Sequence, residues 1–172
     1  MIIGLDISTS ITGITALSLS DKILFNGYVD LRKQKSFFEK AEVIEEEVSF
    51  ILETLSESPT KIIIEQSLQS FRSGYSSAQT ISTLARFNGV VSWIVFKKTG
   101  IEPTYISAAS ARKKCGITVP RGEKAKKVVM EYLIESEPDF SVEYTKYGNI
   151  KAQYYDMADS LIIARSGMEK KA

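Results

Sequence analysis

The sequence lacks histidine and has a single cysteine, Cys115, among 172 residues. Without histidine, the chain cannot build a Ser-His-Asp or Cys-His catalytic centre or a histidine-containing zinc site. One cysteine excludes an intrachain disulfide and a cysteine-cluster metal site. Cys115 follows two lysines that would favour its thiolate, but no base partner is evident, so we do not expect it to be catalytic. The composition fits a reducing cytoplasm, which is the location we expect.

Long apolar runs are also missing. The strongly apolar segment 90–96 is far shorter than the roughly 20 residues that a membrane span requires. Residues 1–6 have no basic segment before them, which is typical of a strand and not of a signal peptide. The chain is 44% hydrophobic and 25% charged, as expected of a globular protein. We therefore expect a single domain over residues 1–172 and no membrane partner.

The net charge of +1 hides an uneven distribution. Residues 39–58 contain seven acidic residues and one basic residue, whereas residues 97–127 contain nine basic and two acidic residues. The nine are Lys97, Lys98, Arg112, Lys113, Lys114, Arg121, Lys124, Lys126 and Lys127. Such a basic region is typical of a polyanion-binding surface, and the alternative is a pair of solvated helix faces.

Alternating and helical hydrophobic patterns predict an α/β fold. The predicted strands are residues 2–7, 11–19, 22–30, 61–65 and 102–106. The predicted helices are residues 36–57, 78–98, a short helix from Ser107 or Ser110 to Cys115, 123–135 and 153–168. An antiparallel meander followed by two crossovers predicts a five-stranded mixed sheet of order 3-2-1-4-5 with helices on both faces. Residues 67–77 and 137–152 are predicted loops, and 169–172 a frayed tail.

Four acidic residues occupy positions that call for a partner. Asp6 lies at the end of the first predicted strand, and Glu65 lies at the end of the fourth. These two strands are parallel neighbours in the predicted sheet, so both carboxylates should emerge at one edge of it. Asp156 and Asp159 are three residues apart on the last helix and share one face. Each alone has an ordinary explanation, as a turn, a cap or a solvated pair. Together they predict a site for hard cations with oxygen ligands, above all Mg²⁺ or Mn²⁺.

Short segments resemble motifs of Holliday-junction resolvases of the RuvC type, which are RNase H-like nucleases. Residues 3–13 (IGLDISTSITG) resemble the first motif and residues 62–66 (IIIEQ) the second. Residues 156–164 (DMADSLIIA) are similar to the last, D-x-x-D-A-L-A-I-A. Residues 84–90 resemble the dimer-helix segment. Residues 116–124 resemble the loop that brings in a basic residue before the next helix.

The chain also departs from that family's pattern. Family members usually have Pro-Gly after the first aspartate, where this chain has Ile7 and Ser8. The family often has an aromatic wedge shortly after the second motif. Leu68 lies nearest that place and Phe71 follows, which leaves the identity of the wedge open.

The resemblance implies an endodeoxyribonuclease that cuts four-way junctions by two-metal phosphodiester hydrolysis. Its cofactor would be Mg²⁺, two ions per site, with Mn²⁺ as a substitute and no nucleotide cofactor. Asp6 would bridge both ions, Glu65 would hold one, and Asp156 and Asp159 would complete the site. Lys124 would steady the scissile phosphate, its alternative being a plain solvated lysine. The predicted DNA contacts are Arg112, Lys113, Lys114, Arg121, Lys124, Lys126, Lys127, Leu68, Phe71 and Arg72.

Two symmetric cuts require two active sites, which a homodimer provides. The helix over residues 78–98 is apolar nearly all round, so it is predicted to form the dimer interface, or else to be a wholly buried core helix. The predicted interface residues are Ile81, Leu84, Val91 and Trp93. The loop 137–152 and the start of the last helix are rich in tyrosine. Tyr144, Tyr147, Tyr154 and Tyr155 either stack on bases or pack the loop onto the domain.

Three alternatives remain at this point. A broader branched-DNA or RNA–DNA hybrid nuclease would use the same carboxylates. An actin-like or sugar-kinase-like ATPase has a similar Asp-containing first loop, but it needs two such domains. A non-catalytic junction binder would not require all four carboxylates.

Overall fold

The structure is a computed structural model that describes residues 1–66 and 77–169. The predicted loop 67–77 falls almost wholly in the gap. Leu68, Phe71 and Arg72, predicted as wedge or DNA contacts, therefore lie outside the described residues. So do residues 170–172 of the predicted tail.

Five strands form one mixed sheet. β1 (Ile2–Asp6), β2 (Ile11–Leu17) and β3 (Ile23–Asp30) are an antiparallel meander, and β4 (Lys61–Glu65) and β5 (Thr104–Ile106) add in parallel beyond β1. The order is β3-β2-β1-β4-β5, which confirms the predicted topology. β2 ends two residues earlier than predicted because the turn at residues 18–22 begins there. It is closed by a 2.9 Å hydrogen bond from the Ser18 amide to the Lys22 carbonyl.

Within the described residues, five helices cover the sheet. They are α1 (Phe37–Thr54), α2 (Ala78–Thr99), α3 (Ala108–Lys114), α4 (Ala125–Ser136) and α5 (Gln153–Arg165). Of the two predicted N-caps of α3, the structure has Ser107, whose side chain accepts a hydrogen bond from the Ser110 amide. α4 begins two residues later than predicted because Lys124 has an extended backbone at the N-cap. α5 ends at Arg165, and tighter turns follow over residues 166–168.

Each face of the sheet has its own hydrophobic cluster, because side chains alternate along each strand. Ile3, Leu5, Ile62 and Ile64 pack under α1 and α2. Ile63, with Ile2, packs on the opposite face, under α3, α4 and α5. The predicted placement of helices on both faces is therefore confirmed. β4 is buried on both faces, as its continuous apolar run predicted.

The predicted irregular loop 137–152 contains a small hairpin. Tyr144 and Ile150 form an antiparallel bridge, and the Thr145 amide donates to the Asn149 carbonyl at 2.7 Å. Gly148 has φ 77°, a left-handed conformation that suits glycine and closes the turn. The hairpin leads directly into α5. None of the helices in the described ranges is long and apolar enough to cross a membrane.

Candidate active site

The strand alternation directs Asp6 and Glu65 to the same face of the sheet. Gly4 lies two residues before Asp6 in β1 and faces α5. Ile63 lies two residues before Glu65 in β4 and packs on the α5 side. By the period of two, the carboxyls of Asp6 and Glu65 emerge on that side. β1 and β4 are parallel neighbours, so both residues lie at one edge of the sheet, called here the carboxylate edge.

Two glycines allow α5 to lie directly on the strands. A Cβ at Gly13 in β2 would stand 2.0 Å from the carbonyl oxygen of Asp156. A Cβ at Gly4 would stand 2.4 Å from the amide nitrogen of Ala164. Backbone therefore meets backbone at both ends of the helix, and only glycine fits. The Gly13 contact sets the height of Asp156 above the sheet.

A buried polar network fixes the helix between those two contacts. The Thr15 hydroxyl and the Ser160 hydroxyl are 2.8 Å apart, and Asn26 Nδ2 donates to Thr15 Oγ1 at 2.7 Å. Asn26 also donates to the Met157 carbonyl at 3.1 Å. Thr15 and Ser160 are both fully buried. Satisfied buried hydrogen bonds specify one position of α5, because a displacement would leave polar groups unpaired.

Lys126 on α4 lies against both aspartates of α5. Its ammonium is 3.7 Å from Asp156 Oδ1 and 3.5 Å from Asp159 Oδ2. The two aspartate side chains are 20% and 14% exposed, so the lysine partly neutralises two half-buried charges. Arg112 on α3 contributes positive charge at Asp159 and Glu65. The structure thus brings Lys126 to the carboxylates, whereas the predicted Lys124 is exposed at the N-cap of α4.

The four carboxyls have raised pKa values. Burial is the largest cause at each of them. For Asp6 the pKa is well above its usual range, because the negative charges of Glu65, Asp159 and Asp156 add to burial. The carboxyls of Asp6 and Glu65 lie close enough to interact by a hydrogen bond, which further raises the pKa of Asp6. Burial alone would lower the pKa of Lys126, but the attraction of Asp159, Asp156 and Asp6 raises it overall.

The chemistry of the four carboxyls, and not their present arrangement, suits a hard divalent cation. Across residues 1–66 and 77–169, no three carboxylate or thiol side chains are arranged to hold one ion between them. In this arrangement Lys126 lies against Asp156 and Asp159 and balances part of their charge. All four ligands are oxygens, and their mutual repulsion favours a cation. The residues therefore suit Mg²⁺ or Mn²⁺, with Lys126 competing for the same carboxylates.

The other predicted site residues fall into two groups. Lys113, Lys114, Arg121 and Lys127 are exposed, as a DNA contact requires. On α2, Trp93 is 60% exposed, and Ile81 and Leu84 are half-buried. Val91 is 0% exposed within the protein's own core, so it is removed from the predicted interface. It faces the sheet, and the outward face of α2 is the one that carries Trp93.

Three structural features of the site were not predicted from the sequence. Asn88 on α2 donates to the Glu65 carbonyl at 3.0 Å and holds the end of β4 in place. Gly13, inside a strand, was a detectable signal, since an interior strand glycine often marks a close backbone approach. Lys126 was predicted as a DNA contact, but its place beside Asp156 and Asp159 was not predicted. Lys124 and Lys126 are two residues apart on one basic segment, and only the direction of α4 separates them.

The comparisons with known proteins identify the fold. No protein-family model matches the sequence, and no curated protein matches it. Among solved structures, the RuvC of Thermus thermophilus in complex with a Holliday junction substrate matches with a TM-score of 0.63 and 16% identity. The match covers 96% of this chain and 90% of that chain. A second Thermus thermophilus RuvC structure gives a TM-score of 0.59 and 16% identity, over 96% and 91% of the two chains. The chain has the RNase H-like fold of RuvC.

Proposed function

We propose that the protein is a RuvC-type nuclease that cuts four-way DNA junctions. One observation carries the proposal: Asp6, Glu65, Asp156 and Asp159 meet at one edge of an RNase H-like sheet. The RuvC fold makes junction DNA the expected substrate class, since one of the matching structures is a RuvC bound to a junction. The proposed location is the cytoplasm, where the single thiol would remain reduced.

The proposed reaction is metal-dependent hydrolysis of a phosphodiester. Two Mg²⁺ ions held by the four carboxylates would supply a water of lowered pKa and stabilise charge on the phosphate. The charges of the three other carboxyls all act on Asp6, so we propose that Asp6 would be the central ligand for the metal. Lys126 and Arg112 place positive charge beside the carboxylates, and with Lys124 they would hold the scissile phosphate.

We propose that the active form is a homodimer through α1 and α2. A groove of about 590 Å³ lies between these helices, lined by Phe37, Phe38, Arg86, Gly89, Val90 and Trp93. Phe38 is 74% and Trp93 is 60% exposed, an unusual cost for large apolar side chains in water. A two-fold copy would cover them and supply the second active site. Sedimentation velocity should show a dimer that Trp93→Glu converts to monomer, while Phe50→Glu, also at an exposed aromatic, leaves it intact.

The function is tested with synthetic four-way junctions, perfect duplex and RNA–DNA hybrid, each with Mg²⁺, Mn²⁺ or EDTA. Paired nicks near the branch, present only with metal, are the expected result. Asp6→Asn should slow cleavage by roughly 1,000-fold or more while junction binding persists, because the variant loses a shared ligand. Glu46→Gln, which removes an exposed charge from α1, is the matched control and should cleave normally.

Other outcomes would point elsewhere. Cleavage of the hybrid alone would indicate an RNase H activity. ATP turnover without nicking would refute the nuclease proposal. Full cleavage by Asp6→Asn would refute the assignment of Asp6 to the metal site. Binding of junctions without cleavage under any metal would indicate a non-catalytic binder.

A further inference from the structure

The carboxylate edge has positive charge on two sides. The basic region of residues 97–127 reaches it from α3 and α4, on the β5 side. β3 is antiparallel to β2, which is antiparallel to β1, so β3 runs parallel to β1 and also ends at this edge. The segment that follows β3 carries Arg32, Lys33 and Lys35, all exposed. None of these three residues is among the predicted DNA contacts.

The segment after β3 is tied to the loop that follows Asp6. The Leu31 amide donates to the Ser10 carbonyl at 2.8 Å, and Lys40 Nζ donates to the Thr9 carbonyl at 2.6 Å. Arg32 is held by the Asp30 carboxylate, with contacts of 2.8 and 2.6 Å. Lys33 and Lys35 make no ion pair with any described residue. Their charges are therefore available to a ligand at this edge.

Tyr28 connects this segment to the face that carries the carboxylates. Asp6 pairs with Gly13, and Gly13 pairs with Tyr28, so the three form one row across the sheet. Neighbouring strands are about 4.8 Å apart, which places the Tyr28 backbone roughly 10 Å from that of Asp6. Residues paired in this way point to one face. Tyr28, 42% exposed, therefore extends the α5 side of the sheet outward.

The hairpin before α5 adds aromatic rings to the same surface. Tyr28 lies close enough to Lys151 and Tyr154, at the base of the hairpin, to contribute to the raised pKa values of both side chains. Tyr144 is 57% and Tyr147 is 78% exposed, and the Lys146 ammonium lies 4.9 Å from the Tyr147 ring centre.

The four tyrosines of the loop and helix start do not behave alike. Tyr154 and Tyr155 pack against the hydrophobic cluster under α5. The rings of Tyr144 and Tyr147 are instead exposed to solvent, and the Tyr147 ring lies beside Lys146. Packing of the loop thus accounts for two of the four, and the exposed pair needs another explanation.

We propose that Lys33, Lys35, Tyr28, Tyr144, Lys146 and Tyr147 form a second DNA-contact surface, called here the β3-side surface. It holds the arm of a branched DNA that leaves the carboxylates across β3. The lysines bind backbone phosphates, and the exposed tyrosines stack on bases unpaired at the branch. Lysines interleaved with exposed aromatic rings are typical of single-stranded nucleic-acid contacts, whereas lysine is depleted in protein–protein interfaces. The inference rests on the proposed function and adds a binding surface to it.

Binding measured in EDTA, where no strand is cut, tests the proposal with a fluorescent four-way junction and a perfect duplex. Lys33→Ala/Lys35→Ala should weaken junction binding about tenfold at roughly 0.1 M salt. It should also lower the slope of log Kd against log salt by about two. Lys22→Ala, compared with each of the single variants Lys33→Ala and Lys35→Ala, is the matched control, because it removes one charge from the turn between β2 and β3, away from the carboxylate edge.

The tyrosines have a separate readout. Tyr144→Ala/Tyr147→Ala should weaken junction binding about tenfold and leave duplex binding unchanged, because a duplex offers no unpaired base. Phe50→Ala, at an exposed ring on α1, should change neither. Benzoylphenylalanine at position 147 should photo-crosslink to junction strands within a few nucleotides of the branch. This readout does not depend on the alanine variants folding.

The outcomes separate the two proposals. If the wild type binds no DNA, the proposed function fails. If the wild type binds the junction and both double variants bind it equally well, the β3-side surface is wrong and the proposed function stands. A loss in Lys22→Ala equal to that in Lys33→Ala and in Lys35→Ala would show an effect of total charge and also overturn the inference. So would the absence of a crosslink from position 147.

Discussion

The α1/α2 face and the α5 face of the sheet are covered in different ways. Under α1 and α2, large apolar side chains fill the space, and Ile44, Phe87 and Val91 are 0% exposed. Under α5, backbone lies on backbone at Gly4 and Gly13, and hydroxyl and amide groups are buried in a bonded network. The first face contributes stability through buried apolar area. The second fixes where two carboxylates stand.

This difference has a consequence for substitutions. An apolar core relaxes around a lost methyl group and absorbs part of the change locally. Where backbone packs directly on backbone, no side chain can rearrange to make room. An atom added at Gly4 or Gly13 therefore moves α5 as a whole. Stability and activity should therefore respond separately to substitutions on the two faces.

Gly13→Ala should have the largest effect on activity. Its Cβ would overlap the Asp156 carbonyl at 2.0 Å, so α5 must shift and carry Asp156 and Asp159 with it. Because misplacement by about 1 Å can cost roughly 100-fold, single-turnover junction cleavage should fall by about that factor. Overpacking should lower the free energy of unfolding by about 1–3 kcal/mol in urea titrations.

Ile44→Ala is the matched change on the other face. It should lower the free energy of unfolding by about 2–5 kcal/mol, because a fully buried side chain is lost. Cleavage per folded molecule, measured below the melting temperature, should stay unchanged. Normal cleavage by Gly13→Ala, or equal slowing by folded Ile44→Ala, would contradict the division between the faces.

Thr15→Val should have an intermediate effect. The substitution keeps the shape of the side chain and removes the hydroxyl that contacts Ser160 and Asn26. The partners left without a bond should cost about 1–3 kcal/mol of stability. We expect cleavage to slow by about tenfold, since α5 is less firmly placed. Ser160→Ala in the same background should add little, because the pair has already lost its bond; a fully additive loss would show that the network does not act as one unit.

The strands and helices were predictable because their patterns are local. The apolar runs of β1 and β4 and the Ile- and Thr-rich run of β2 mark buried strands, and the chain order then determines the sheet order. The four carboxylates were predictable for the same reason, since each lies at the end or on the face of such an element. Asp6 and Glu65 needed only the parallel pairing of β1 and β4.

The finer parts of the site depend on contacts between distant elements. Lys126 and not Lys124 reaches Asp159 because α4 starts at Ala125 and crosses α5 in one orientation. Asn88 reaches the Glu65 carbonyl from a helix that begins more than ten residues after β4. The sequence has no local pattern for such contacts. Val91 was wrongly assigned to the interface. Because α2 is apolar nearly all round, its sequence does not reveal which of its faces packs against the sheet.

Asp6→Asn should also change stability, by a smaller amount and in the opposite direction to its effect on cleavage. Burial and the charges of Glu65 and Asp159 raise the pKa of Asp6 in the folded state. The folded protein therefore holds this proton more tightly than the unfolded chain. The resulting stability is complete below the unfolded pKa and is lost as pH rises through the folded one.

The asparagine side chain of Asp6→Asn does not ionise, so the variant does not lose this stability as the pH rises. In EDTA at pH 8, Asp6→Asn should melt roughly 2–4 °C above the wild type, equivalent to about 1 kcal/mol. The gap should close as the pH falls toward 4. Added Mg²⁺ should raise the melting temperature of the wild type and have little effect on the variant. A variant that melts below the wild type at pH 8 would show that Asp6 is not under electrostatic strain.

Cys115 should show that not every polar group on the α5 side serves the site. Burial raises the pKa of its thiol to about 11, and its Sγ contacts the Ile162 carbonyl at 3.5 Å. At pH 8 only about 0.1% would be thiolate, against roughly a quarter for a free cysteine. Iodoacetamide should therefore alkylate the folded protein about 100-fold more slowly than the urea-unfolded chain. Cys115→Ala should cleave junctions at the wild-type rate, because the thiol packs as a small apolar group; rapid alkylation together with lost cleavage would place it in the active site.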